Sequence, residues 1–244
     1  MRHAFIVRLV LITLLIVSAA SAQQPDPEAL YRERTDIAKA KEAAAIWEAR
    51  IATNPRDFES AWKLARMTYW LGERDAQDAR RKWLERGVEA GKTAAALEPK
   101  RPEGHFWMAA NMGALAESFG MRQGLRYRGP IKDALEVTLK LDPAFMQGSA
   151  DRALGRWYQR VPGLFGGDKK KAETHLRKSL TYNPNSTISH FFLAETLFDL
   201  DRDTEAMQEL QKVIDAPLDP QFGPEDKEYK QKAADMLAKR KPRR

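Results

Sequence analysis

Three histidines, His105, His175 and His190, are the side chains best suited to metal or acid–base chemistry in this chain of 244 residues. They fall in three separate helical segments with no paired carboxylate at ligand spacing, so the pattern forms no metal set. His105 and His190 each precede aromatic residues at the start of a helix, where an imidazole packs or caps. A fourth, His3, lies in an apolar leader. The absence of cysteine removes disulfides, thiolate metal sites and cysteine nucleophiles. No glycine-rich phosphate loop, GxSxG elbow or HExxH pair occurs. The expectation is therefore no catalytic residue, no metal and no cofactor, and recognition by cations and aromatic rings is what the composition offers.

Those side chains must be carried by helices. Alanine, leucine, lysine, arginine and glutamate dominate, and β-branched runs are few. The clearest stretch is DRALGRWYQRVPGLFGGDKKKAETHLRKSLTYNP, residues 151–184. Leu154-Gly155 and Tyr158 open it, and Ala172, Leu176 and Ser179 follow the loop before Pro184. Positions i, i+4 and i+7 share one helix face, so the second set is a small-large-small stripe against which a neighbouring helix can pack closely. A proline then closes the helix, as in tetratricopeptide repeats (TPR).

The rhythm recurs along the chain. Helices are expected to close at Asn54-Pro55, Glu98-Pro99, Asp142-Pro143 and Asn183-Pro184, and more weakly at Ala216-Pro217 and Asp219-Pro220. The four clear prolines lie 44, 44 and 41 residues apart, against about 34 for a plain TPR, so longer helices or longer loops are required. First-helix patterns are Trp62/Ala65/Tyr69, Phe106/Ala109/Ala110/Gly113, Leu154/Gly155/Tyr158 and Phe191/Ala194/Phe198. Second-helix stripes are Gly87/Gly91/Ala94, Ile131/Leu135/Thr138, Ala172/Leu176/Ser179 and Ala206/Leu210/Val213. A half repeat near 28–53 opens the array, and a charged helix near 224–240 caps it. Two glycine-rich connections, 120–130 and 161–168, are expected as long loops, with Asp168 as the N-cap of the helix after it. The fold class is all-α: a TPR-like α-solenoid of about four to five helix-turn-helix repeats with extended loops.

Residues 1–22 read as a secretory signal peptide. Arg2 and Arg8 flank its start, Leu9 to Val17 is apolar but for Thr13, and Ala20-Ser21-Ala22 precedes a cut before Gln23. The apolar core is short of the roughly 20 residues of a membrane span. The domain division is then a signal peptide (1–22), a flexible leader (23–27), the helical repeat domain (28–241) and the end of a basic tail (242–244). The expected location is periplasmic or secreted, with no lipid anchor, because lipidation needs a cysteine. Lys plus Arg number 41 against 34 Asp plus Glu, an excess too small and dispersed to indicate nucleic acid. Membrane contact is expected only through the signal peptide or the basic tail.

In such a stack the first helices line the concave face, and residues beside the packing positions point into it. These are Lys63, Met67, Trp70, Trp107, Asn111, Arg152, Arg156, Phe192 and Thr196, with Tyr127 and Phe165 added from the long connections. The set mixes aromatics with cations and lacks acids. It suits a carboxylate-bearing ligand or an acidic peptide, because guanidinium forks pair with carboxylates and rings cover apolar parts.

The order HFWMAANMGALAESFG (105–120), IKDALEVTLKLDP (131–143) and LGRWYQRVPGLFGGDKKKAETHLRKSL (154–180) resembles the TRAP transporter T-component family, periplasmic TPR-like proteins associated with tripartite substrate transport. The likeness spans roughly 40–220 and implies a helical bundle with a central groove or pore for a small ligand or a substrate-binding partner. Members of that family are typically lipoproteins, and this chain has no cysteine to lipidate. A fainter likeness over the same helices is to TPR-like regulators of microtubule dynamics, against which the bacterial-style leader argues. The expected function is an exported scaffold that binds a protein partner, such as a periplasmic solute-binding protein, or a small ligand in its groove. The alternative is a component that holds a small organic acid or lipid-like molecule directly.

Overall fold

The computed structural model describes residues 24–240, so the signal peptide, its cleavage point and the basic tail end lie outside the described residues. Among them the chain is a succession of α-helices joined by short turns. They are α1 (Pro27–Arg32), α2 (Ile37–Thr53), α3 (Phe58–Arg74), α4 (Gln77–Leu97), α5 (Pro102–Ser118), α6 (Met121–Leu141), α7 (Phe145–Arg160), α8 (Lys169–Leu180), α9 (Thr187–Phe198), α10 (Asp203–Asp215) and α11 (Gly223–Arg240). The chain is a TPR-like α-solenoid.

The proline stops act through the residue before them. Proline excludes that residue from the α region, and Asn54, Glu98 and Asp142 each leave helical geometry directly after the last helical residue. Several helix starts are fixed by side-chain caps. Asp36, Asp57 and Ser186 each accept from the first helical turn, and Asp168 accepts from Lys170 N at 2.9 Å and Lys171 N at 3.1 Å.

Two expectations are corrected. The opening segment is two helices, because Asp36 caps a fresh start at Ile37. The stretch after Gly120 is helical from Met121 onward, with Pro130 inside the helix. Gly120, at φ 84°, makes the whole turn. The glycines at 124 and 129 weaken the helix, but Tyr127 packs on the main core and holds it. The wide repeat spacing now has its cause. Helices α4 and α6 are 21 residues long, while the third repeat has a shorter second helix and a true loop, 161–168, with one 3-10 turn at Gly163–Phe165.

A further departure lies at the start of α7. Met146, Gln147 and Gly148 take left-handed φ of 44°, 61° and 75° before the regular helix begins. For the two non-glycine residues this costs roughly 1–2 kcal/mol each. Hydrogen bonds between Gln147 and both Asp219 and Asn183 hold the turn in place.

Each helix packs on the next, and the first helices of successive repeats (α3, α5, α7, α9) also pack on one another, which makes them the inner layer. Helices α4 and α5 approach backbone to backbone. A Cβ at Gly91 would lie 2.7 Å from the backbone of Met108, and one at Gly104 would lie 2.4 Å from Ala95 N. The stripe Ala172, Leu176 and Ser179 is fully buried. Burial divides into a large cluster from Ala40 to Ala172, a second from Leu176 to Ala233, and a small third of Phe58, Ala61 and Ala94.

Gly91→Ala is expected to lower unfolding stability by about 1–3 kcal/mol, because backbone cannot yield as a side chain can. Gly113→Ala, where the added carbon meets nothing within 4 Å, should stabilise by about 0.5–1 kcal/mol. Urea denaturation of the two variants checks both signs.

Candidate functional site

The inner layer presents cations laid over aromatic rings. Arg34, in the turn between α1 and α2, is buried with its guanidinium 4.5 Å from the Tyr31 ring and 4.9 Å from that of Trp70. Arg66 lies 3.6 Å over Tyr31, and Arg74 lies 3.7 Å over Trp70. Stacking on a ring leaves the edge of the guanidinium free for carboxylates. Arg66 donates to both oxygens of Glu28 at 2.9 Å.

The first turns of α11 complete this arrangement from the other end of the solenoid. Arg34 donates to Glu225 at 2.7 Å and to the Gln221 carbonyl at 3.4 Å, and Arg74 pairs with Glu228. Tyr229 packs edge-on against Phe191 at 5.2 Å and Phe192 at 5.7 Å. The segment before α11 joins in, with Gln147 donating to Asp219 at 3.0 Å. Asp226 is buried and holds Thr187 Oγ1 and the Asp219 amide. The closing helix therefore lies against the inner face and bridges the two ends of the chain, besides capping the stack.

The sequence-selected residues divide by environment. Lys63 sits 3.4 Å from both Glu28 and Glu59. Trp70 is buried and donates its indole N–H to the Arg34 carbonyl at 2.7 Å. Trp107 is buried beside Tyr69, 5.8 Å away, and its indole N–H has no partner among the described residues. Asn111 is fully buried, and its amide bridges α3 and α5 by donating to Ala65 O at 2.9 Å and Trp107 O at 2.8 Å. Met67 and Thr196 are likewise buried. These last three belong to the packing between helices and are not offered to the groove.

Arg156 is held by Glu117, at 3.0 and 3.1 Å, and by Glu195, while lying 4.5 Å from the Phe192 ring. Burial opposes its charge, but the two carboxylates outweigh burial and raise its affinity for the proton. Arg152 differs. It is 8% exposed, lies 5.9 Å from the Phe222 ring, and makes no ion pair or hydrogen bond among the described residues. Burial pulls its guanidinium below its ordinary value, and the more distant Glu225 and Asp226 oppose that shift without cancelling it. Burial raises Tyr69 and Tyr229 above the ordinary phenol value. Tyr127 is half-buried in α6, and Phe165 lies on the loop with Arg128 5.1 Å from its ring. These two stand apart from the inner-layer cations.

The expectation of a face without acids is corrected: Glu73 shares α3 with cations, Glu117 and Glu195 come from the neighbouring inner helices α5 and α9, and Glu28, Glu225 and Glu228 from the terminal ones. Arg34, Tyr31 and Arg74 escaped the sequence reading because they fall outside the repeat pattern. The histidines bind locally. Nε2 of His105 meets Pro99 O at 3.1 Å, and Nε2 of His190 meets Pro184 O at 2.8 Å, the same step in two repeats. His175 meets Asp151 at 2.7 Å.

A helical solenoid of stacked helix pairs is the architecture of a TPR-type protein. The family model for "Regulator of microtubule dynamics protein 1-3" matches residues 28–174. That is more than half of the chain, which belongs to this family. The fainter of the two sequence resemblances is thus the one matched, and the leader was no ground for setting it aside. A search of curated proteins finds no match. Among solved structures, the thermophilic TPR protein TTC0263 of Thermus thermophilus is 22% identical with a TM-score of 0.65, covering 87% of this chain and 97% of its own. MamA is 16% identical with a TM-score of 0.50 over 83% of this chain and 96% of its own. A MamA RS-1 double mutant gives 16% and 0.51 over 79% and 96%. At these identities the likeness speaks for the fold.

Burial alone would raise the Glu228 carboxyl, but Lys232 and Arg74 outweigh it and hold the group below its ordinary value. A depressed carboxylate stabilises the fold at pH above its unfolded value, near 4.3, and loses that contribution as pH falls through the folded value. Wild type should therefore exceed Glu228→Gln by no more than about 1 kcal/mol at neutral pH, since the pair is partly exposed. The gap should stay level down to about pH 5 and close below about pH 4. Thermal unfolding of both chains across that range checks it.

Proposed function

We propose that this chain is an exported, non-catalytic scaffold that holds an acidic segment of a protein partner on its inner face. The observation that carries the reading is the seat of α11. A helix bearing Glu225, Glu228 and Tyr229 rests there on Arg34, Arg74, Phe191 and Phe192. Charge-assisted bonds give such a helix its register, and ring contacts supply apolar burial, which is the chemistry of helix-in-groove recognition. The TPR fold of the solved neighbours agrees with binding as the activity. The leader at 1–22 supports export, and the T-component resemblance supports a solute-binding protein of a transport system as the partner. Membership in a family of regulators agrees with a protein that acts through what it holds.

Arg152 favours a second reading, in which the same face retains a small organic acid. It is a buried guanidinium that Glu225 and Asp226 influence only from beyond ion-pair distance, and a ligand carboxylate would supply a direct partner.

Cross-linking of the tagged full chain in envelope extract, followed by mass spectrometry, tests the scaffold. Captured protein should cross-link to Lys63 of the inner layer, and Arg152→Ala with Arg156→Ala should weaken capture about tenfold with helicity unchanged. Cross-links confined to lysines of α4 and α10, insensitive to the double substitution, would overturn it. Native mass spectrometry of the same preparation tests the acid: a bound small molecule lost in Arg152→Ala alone supports that reading.

A further inference from the structure

A second surface lies away from the inner face, where the start of α6 meets the loop between α7 and α8. The described residues expose eight large hydrophobic side chains, and four of them fall in these two segments: Met121 at 81%, Leu125 at 40%, Leu164 at 90% and Phe165 at 38%. The segments are tied together. Trp157 donates its indole N–H to Arg128 O at 2.8 Å, and the Arg128 guanidinium lies 5.1 Å from the Phe165 ring. Met121, Leu125 and Arg128 stand at i, i+4 and i+7, on one side of α6.

Charge is concentrated on the same edge. Residues 121–132 and 160–171 together hold eight cations and one acid, an excess equal to that of the whole chain. The single acid, Asp168, is occupied in capping α8. Arg122, Arg126 and Arg128 make no ion pair among the described residues, whereas most arginines of the inner layer do. Of the edge cations, Lys132, Arg160 and Lys169 pair with Glu136, Glu117 and Asp199; the three arginines of α6 stand unpaired beside bare apolar side chains.

We propose that this edge docks on an anionic phospholipid surface. Leu164 and Phe165 enter the boundary between headgroups and acyl chains, and the arginines of α6 meet the lipid phosphates. The shape decides between a bilayer and an acidic protein. Leu164 projects from a loop tip with almost nothing around it, and a projecting side chain is buried by a fluid layer that closes over it, whereas a protein partner would need a shaped recess. No helix among the described residues is long and apolar enough to cross a membrane, so the contact is peripheral.

Because the chain has no cysteine, one introduced at Leu164 can carry an environment-sensitive fluorophore on the full-length protein. The same label at Lys92, exposed on α4, controls for attachment through the N-terminal leader or the basic tail. Phosphatidylcholine vesicles containing phosphatidylglycerol should blue-shift and brighten the label at 164 and leave the label at 92 unchanged. Pure phosphatidylcholine should give little response at either site. Each of Arg122→Gln, Arg126→Gln and Arg128→Gln should weaken the response at 164 about fivefold, and added salt should weaken it further. Equal responses at both labels, or equal responses to neutral and anionic vesicles, would overturn the proposal. A response to polyglutamate with none to vesicles would overturn it too and make the edge an acidic-protein dock. Position 164 is 90% exposed, so the label does not compromise folding.

Discussion

The structure depends on how closely its helices approach one another. At Gly91 the backbone of α5 fills the space where a side chain would stand, and at Gly104 the backbone of α4 does the same. Two helices that touch backbone to backbone have little freedom in crossing angle, so the α4–α5 contact sets the direction in which the stack curves. The buried stripe of α8, Ala172 with Leu176 and Ser179, repeats the device with a leucine between two small residues. Curvature then brings α11 within reach of α3 and of the turn between α1 and α2, far away in the chain.

What happens at that meeting is electrostatic. Arg34 is buried between two rings, and an isolated guanidinium there would be expensive to desolvate. Glu225 and the Gln221 carbonyl offset that penalty. Pairs of this kind contribute modestly to stability, because desolvation cancels most of the Coulomb attraction. They specify position instead: a glutamate must sit opposite Arg34 and another opposite Arg74. The apolar part of α11, around Tyr229 and Ala233, is anchored on the second core cluster. The helix is therefore joined firmly to the C-terminal repeats and by polar contacts alone to α3 and the α1–α2 turn. That face holds the acidic side of α11, and Arg152 lies on it without an ion pair among the described residues.

The two proposed surfaces rest on different physics. The inner face pairs its cations with carboxylates at fixed geometry, and the loop edge leaves arginines unpaired beside exposed leucine and phenylalanine. They occupy separate parts of the molecule, so a chain held at a lipid surface by its loop edge could keep its inner face available to a polypeptide.

The sequence by itself determined the helical class, the places where helices stop and the faces they bury. These are local matters: a proline forces the residue before it to be extended, Asp168 caps its own helix, and small residues at helical spacing must face a neighbour. Even the closing helix was legible, from its charge pattern. Tertiary structure decided the rest. Glycines at 124 and 129 read as loop, yet Tyr127 gains enough burial on the core to keep that segment helical. Asn111 sits beside a packing position and reads as a groove residue, but its amide bridges the α3 and α5 backbones. Above all, the acids that answer the inner cations lie on helices up to 191 residues away in sequence. No periodicity records such a pairing, because it exists only once the stack has curved far enough for Glu225 to reach Arg34.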